Sequence, residues 1–550
     1  MENVQLQLLD AIEPEETKAS KLTIAEKFKR AAIIGITIFS VMYFGCFCYL
    51  NLSKLVELMD SDTAAEALLA REIWNEKSLT PDNWISSTER RIISPATLGA
   101  VFYGITSNMN LSMGLACLLI GGLVLISFLY LLRTIKISWL GTAVSVFLLM
   151  CLPVNGIQVE GQILPFFTYL IFLFAGYYTP HVIAMLTGLA VYFRIRRGEW
   201  RPFLILLGGM IVILVMCLGA SGMRCLQIVT MPLVLLELMD LYQSSKRFTV
   251  KPDPKRWRAT GFTGLVLLSN LFGMMYPSSV QQPIYLQDGS QVISRLTGEV
   301  PAAILECLGI SGSANLKSVD GLMQLFVYAA IGIIIFACFR ICRKGKRQVT
   351  QEALALVLFI LLSLLFTVGV VSITTIPAYH YYFFIVIFLG AVSIGMLADI
   401  FSRGYPVMCG FLLAYILLYG SLNFIYTYVP AMTADGKQSD YKEVVAYMEE
   451  NEIEYGYAQF WHANRLSAVA NGQITIGGVY DMGNLGMYWW LTSTRWYMPD
   501  LPEEMVTAYI VSDSENEIFL QGVSERISLK EVLTNDSFIV YVGDRNLVSR

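Results

Sequence analysis

Long apolar runs separated by short polar segments dominate the chain from residue 31 to residue 428. Runs such as 115–132 and 354–371 are continuously apolar, without the two-residue alternation of a membrane β-barrel, so they predict helices. A bilayer core of about 30 Å takes about 20 residues per helical span. On that measure spans are expected near 31–52, 111–132, 137–153, 163–193, 202–219, 224–241, 260–276, 321–339, 352–372, 379–399 and 405–428. The expected fold class is therefore an α-helical polytopic membrane protein with about eleven transmembrane helices. The stretch 163–193 is long for one helix and contains Gly176 and Pro180, and is expected as a single span, broken or tilted.

Beyond residue 428 the pattern changes. Asp440 followed three residues later by Glu443 predicts a capped helix, and runs at 455–460, 474–480, 508–511 and 538–542 predict strands. The chain thus divides into an N-terminal segment (1–30), a membrane domain (31–428) with long polar loops at 53–110 and 277–320, and a small soluble α/β domain (429–550).

Composition agrees with this division. Of the 550 residues 55% are hydrophobic and only 15% charged, against about 25% charged in a soluble domain; the mean hydropathy is +0.57. The net charge of −4 conceals an asymmetry. Lys18, Lys21, Lys27, Lys29 and Arg30 precede the first span, and further basic clusters fall at 194–201, 246–258 and 340–347. The positive-inside rule places these in the cytoplasm, with 53–110, 277–320 and the C-terminal domain on the far side. Short loops and the lack of a eukaryotic sorting signal point to a bacterial plasma membrane. The clusters abut spans and carry no interleaved aromatics, which argues against nucleic acid. All ten cysteines lie between Cys46 and Cys409, with no CxxC pair, and His181, His380 and His462 are far apart, so neither a disulfide framework nor a zinc site is expected. No nucleotide-binding fingerprint occurs in a strand-to-helix context.

Candidate chemistry begins just after the first span, where Asp60, Asp62 and Glu66 cluster. Asp60 or Ser61 would cap a helix that places Asp62 and Glu66 on one face and Leu69, Ile73 and Trp74 toward the bilayer. A polar loop with an amphipathic helix would look the same without catalysis. The order of Asp62, then Ala70, Arg71, Glu72 and Ile73, then Pro81 resembles the GT-C superfamily. Its members, including lipid A aminoarabinose transferases and protein O-mannosyltransferases, take sugars from polyprenyl phosphates. Thr63 stands where those families often carry a second acid; Glu66 is the expected substitute.

The resemblance implies inverting transfer of a hexosyl or pentosyl unit from a polyprenyl-phosphate donor to a cell-envelope acceptor (glycan, lipid or protein). Asp62 is the expected general base, with Asp60 the rival and Glu66 nearby, and the three could hold a divalent cation. Arg224, Arg90, Arg91 and Arg71 are candidates for the donor phosphate. Glu89, Tyr379, His380, Trp461 and His462 are candidates for substrate contact. For Arg224 the alternative is snorkelling, for Tyr379 and His380 an interfacial aromatic belt, and for the tail aromatics the core of a small domain. A transporter or lipid flippase is the rival function, although transporters place charges within their spans, where this chain has few.

Overall fold

A computed structural model of the chain describes residues 24–87, 92–151, 156–159, 162–165, 171–173, 178–245, 254–276, 284–310, 315, 317–348, 350–433, 438–523 and 525–550. Helix occupies part or all of each expected span, at Ile24–Ser53, Met109–Thr134, Trp139–Cys151, Thr179–Arg196, Pro202–Gly219, Met231–Ser245, Pro254–Met274, Val319–Gln348, Gln351–Ile373, Ile385–Gly404 and Pro406–Asn423. Seven of the described helices are long and apolar enough to cross a membrane, which makes this a multi-pass membrane protein. The expected eleven crossings is a finer count than that. One expectation is corrected. Residues 163–165 belong to a short antiparallel hairpin, Gly156–Val159 with Gln162–Pro165, and helix Thr179–Arg196 covers the later part of the expected span. Pro180 lies in its first turn, where a missing N–H costs nothing, and does not break its middle.

Small residues let the helices approach closely. A Cβ on Gly273 would stand 1.9 Å from the Met216 carbonyl oxygen, and one on Gly114 would stand 2.2 Å from that of Asn51. At the basic end of the bundle, Arg196 and Arg256 both reach Asp240, and Arg194 donates to Glu199 at 2.7 Å and to the Tyr130 hydroxyl at 2.8 Å. Just inside this layer the buried Glu237 accepts from Tyr192 at 2.7 Å and from Thr260 at 2.6 Å, so three helices share one satisfied carboxylate.

At the opposite end sits a five-stranded sheet in the order Thr475–Val479, Tyr455–Gln459, Thr507–Ser512, Phe538–Gly543, Leu529–Thr534. The first three strands are parallel and the last two join antiparallel. Helix Phe460–Val469 is the crossover between the first two strands in sequence; with helix Ser439–Glu450 it covers a core that includes Val444, Met448, Leu466, Ile476, Ile510 and Val540. The expected capping box at Asp440 is not formed. Gln438 is the N-cap, and Asp440, one residue inside the helix, accepts instead from the Ser537 hydroxyl. That partner is distant in sequence and outcompetes the local cap.

Candidate active site

Helix Ser61–Glu76 is the centre of the site. Asp60 is its N-cap, its Oδ1 accepting from the Thr63 amide at 2.8 Å and from the Thr63 hydroxyl at 2.7 Å. Thr63 therefore has a local task at the position where an acid was expected. Ala64, Ala65, Ala67 and Ala70 are all buried, and their small side chains let neighbouring helices close in; a Cβ on Gly99 of helix Pro95–Thr106 would be 3.0 Å from that of Ala70. Leu69 and Ile73 are likewise buried, and the Trp74 ring lies against Gly104 with Lys77 Nζ 3.2 Å above it. The helix is thus enclosed by protein on most sides. The expectation that Leu69 and Ile73 lie on the bilayer is corrected, since packing against neighbouring protein supplied their apolar partner, whereas Trp74 stays 38% exposed.

The C-terminal domain docks on this helix along helix Phe460–Val469 and the turn that follows it; the start of that helix lies at the carboxyl edge of the parallel strands, the edge where open α/β sheets bind ligands. Ser61 Oγ donates to the Phe460 carbonyl at 2.7 Å, and Asn464 Nδ2 lies 3.4 Å from Ser61 Oγ. Further along, Arg71 donates to the Gly472 carbonyl and pairs with Glu72 at 3.3 Å. Glu76 pairs with Arg495 at 3.2 Å, and residues Trp84–Ile85 form a two-stranded sheet with Thr492–Ser493. Lys442 pairs with Glu57 at the foot of the first helix.

Asp62, in the first turn, is half-buried, and its neighbour Ser61 meets Phe460, on which Tyr488 of the C-terminal domain packs. Burial first, and the Asp62 carboxylate second, raise the Tyr488 phenol above its ordinary range, so it stays protonated near neutral pH. Tyr488 packs on Phe460 at 4.6 Å and stacks with Tyr480 at 6.0 Å, and Phe460 meets Trp461 edge-on at 5.2 Å. Trp461 is 57% exposed. Behind it His462 Nδ1 and the Tyr441 hydroxyl share a hydrogen bond of 2.7 Å, and the buried Arg465 lies 4.3 Å from the Tyr441 ring. Burial, helped by the Arg465 charge, pushes His462 down to about 4, which keeps it neutral.

A second group surrounds Arg224. Its guanidinium sits 4.2 Å from the Tyr178 ring and 5.8 Å from that of Tyr382, held where the chain leaves helix Pro202–Gly219 and enters the π-helical turn Leu226–Thr230. Tyr379 stacks on Tyr381 at 5.0 Å, Tyr381 meets Tyr382 at 4.8 Å, and His380 Nδ1 is 3.4 Å from Glu306. The groups lie at the same end of the bundle. Asn51 donates to the Phe172 carbonyl at 2.8 Å, and the six residues from there to Tyr178 reach at most about 20 Å.

The structure therefore brings the helix start at Ser61 and Asp62 to Phe460, with Tyr488 and Trp461 packed on that ring, and Arg224 to Tyr178 and Tyr382. Asp60 is engaged as a cap, Glu66 is 3% exposed inside the helix packing, and Arg71 faces the Gly472 carbonyl. Glu89, Arg90 and Arg91 lie outside the described residues. Among the described residues no three His, Cys, Asp or Glu side chains gather as a metal centre. Tyr178 and Arg465 escaped the sequence reading, since a tyrosine next to an apolar run and an arginine inside a soluble helix carry no local signal.

No protein-family model matches this chain, and no curated protein matches it. Its architecture is nevertheless shared with solved structures. The apo crystal structure of ArnT from Cupriavidus metallidurans matches with a TM-score of 0.53 over 93% of this chain and 98% of that one, at 11% identity. The same protein bound to undecaprenyl phosphate matches at 0.52 over 92% and 98%, at 12% identity. The Archaeoglobus fulgidus oligosaccharyltransferase, in complex with zinc and sulfate, matches at 0.50 over 88% of this chain and 68% of that one, at 11% identity. This chain thus has the fold of the GT-C membrane glycosyltransferases.

Proposed function

We propose that the protein is an inverting glycosyltransferase of GT-C type. In this reading its N-terminus is cytoplasmic, eleven helices cross a bacterial plasma membrane, and the C-terminal domain works on the far side. A polyprenyl-phosphate sugar enters from the outer leaflet. The acceptor hydroxyl attacks the anomeric carbon as the bond from that carbon to the phosphate oxygen breaks. The proton passes to the Asp62 carboxylate, and the departing polyprenyl phosphate keeps the bonding electron pair. Arg224 would face that phosphate, its charge balancing the developing anion, with Tyr178 and Tyr382 orienting the guanidinium.

The observation that carries this reading is the position of Asp62. It lies half-buried in the first turn of a helix packed along helix Phe460–Val469, next to Ser61, whose hydroxyl donates to the Phe460 carbonyl at the carboxyl edge of the C-terminal sheet. Asp60, the rival base, already has one carboxylate oxygen occupied by two hydrogen bonds. The test is sugar transfer in nanodiscs from extracted polyprenyl-phosphate sugars. Asp62→Asn should lose about a hundredfold or more in rate while still binding donor lipid, the usual contribution of a positioned base. An unchanged rate refutes the assignment of the base. Failure of the wild type to consume any donor, together with lipid movement across the bilayer, would replace the transferase by a flippase.

A further inference from the structure

The reaction proposed above leaves the acceptor's chemistry open, and the carboxyl edge of the C-terminal sheet narrows it. Trp461, Phe460, Tyr488 and Tyr480 form a continuous row of rings, with successive centroids 5.2, 4.6 and 6.0 Å apart. Both ends of the row are open to solvent, Trp461 at 57% and Tyr480 at 70% exposure, and Trp489, next to Tyr488, is 57% exposed. A soluble domain gains nothing by leaving three large aromatics in water, and such a patch marks a binding surface.

The row is also rigid. The Tyr488 amide donates to the Gly478 carbonyl and the Tyr480 amide to that of Gly486, so the loop between them is tied to the strand it leaves. Asp481 closes that loop by accepting from the Asn484 amide at 2.9 Å and from its side-chain amide at 3.1 Å. Met482 and Leu485 anchor it in the core. Aromatic side chains fixed in this way offer contact area with little entropy left to lose.

Carboxylates lie near the row: Asp62 adjoins Ser61, whose hydroxyl donates to the Phe460 carbonyl, and its charge acts on Tyr488, while Asp481 follows Tyr480 at one end. Carboxylates at both places disfavour insertion of the row into lipid and disfavour an anionic partner. They suit a molecule with apolar C–H faces and hydroxyl edges. A sugar ring has both: its C–H face lies on the electron-rich face of an aromatic ring, and its hydroxyls donate to carboxylates. Because the row extends to either side of Tyr488, sugars flanking the reacting one are held as well.

We infer that the acceptor is a neutral glycan, bound along Trp461, Tyr488 and Tyr480 so that one of its hydroxyls meets Asp62. The role given to this surface rests on the glycosyltransferase reading, but its occupancy can be measured without donor. The full chain in nanodiscs would be titrated with cello-, chito-, manno-, galacto- and arabino-tetraose, and with a Gly/Ser/Thr peptide representing a protein acceptor. Tryptophan fluorescence and saturation-transfer NMR would report binding. At least one saccharide should bind, and Trp461→Ala and Tyr480→Ala should each weaken it about five- to tenfold, the range for a single aromatic contact. Trp461→Phe and Tyr480→Phe should restore it. Both side chains are exposed, and unchanged melting of the variants confirms that they fold.

Binding of no saccharide, binding of the peptide alone, or full binding by the Trp461→Ala/Tyr480→Ala double variant would each overturn the inference. Donor consumption without glycan binding removes the glycan surface and leaves the transferase. Glycan binding without donor consumption does the reverse.

Discussion

Replacing Arg71 by methionine keeps the apolar stem packed and removes only the guanidinium. That group is 11% exposed, donates to the Gly472 carbonyl and pairs with Glu72. A hydrogen bond from a charged, largely buried donor contributes about 2 kcal/mol, and its loss also strands the Gly472 carbonyl and the Glu72 carboxylate. Since the contact ties helix Ser61–Glu76 to the turn after helix Phe460–Val469, the cost should fall on docking of the C-terminal domain. A loss of about 2 kcal/mol raises the open fraction about thirtyfold. Hydrogen exchange in nanodiscs should show this in the amides of Phe460–Val469, while those of Gln351–Ile373 exchange unchanged. The rate of sugar transfer should fall with the docked fraction, and the KM for donor lipid should stay as it was. An increase of tenfold or more in donor KM with unchanged exchange would refute the argument and return Arg71 to the donor phosphate.

Three further outcomes are expected. Arg224→Gln should raise the donor KM about ten- to a hundredfold, the loss of one charge-assisted phosphate contact, with the acceptor KM unchanged; kinetics with each substrate varied in turn checks this. The His462 imidazole takes a proton near pH 6.5 in an unfolded chain but only near 4 when folded, so the unfolded state binds the extra proton in between, and the domain loses up to about 3 kcal/mol as pH falls from 7 to 4. Thermal melts of wild type and His462→Gln at pH 7 and 4.5 should show a steeper loss in the wild type; parallel losses would refute it. Gly273→Ala forces a methyl group onto the Met216 carbonyl and should cost about 1–3 kcal/mol, read as a lower melting temperature and less monodisperse protein.

What the sequence determined by itself follows from local physics. A span is a property of about 20 consecutive residues in lipid, and a basic loop one of a few, so the helices of the membrane domain and the change to a soluble domain after residue 428 were legible without knowing the fold. The strands at Tyr455–Gln459, Thr475–Val479, Thr507–Ser512 and Phe538–Gly543 were legible for the same reason. Strand Leu529–Thr534 was not: it lies at the sheet edge, with no buried residue and a register irregularity between Glu531 and Leu533, so its side chains show no clear alternation.

Tertiary structure decided which polar side chains converge. Ser61 meets Phe460, Arg71 meets Gly472 and Glu57 meets Lys442 across more than 380 positions of the chain, contacts that no local spacing encodes. Those contacts enclosed a helix that the sequence placed on the bilayer and turned Arg71 toward a backbone carbonyl. They also bring Asp62, next to Ser61, to a row of aromatic rings supplied by the far end of the chain. The sequence determined that an acid stands at the end of the first span; the docked domain decided what that acid faces, because that depends on packing between segments brought together only by the fold.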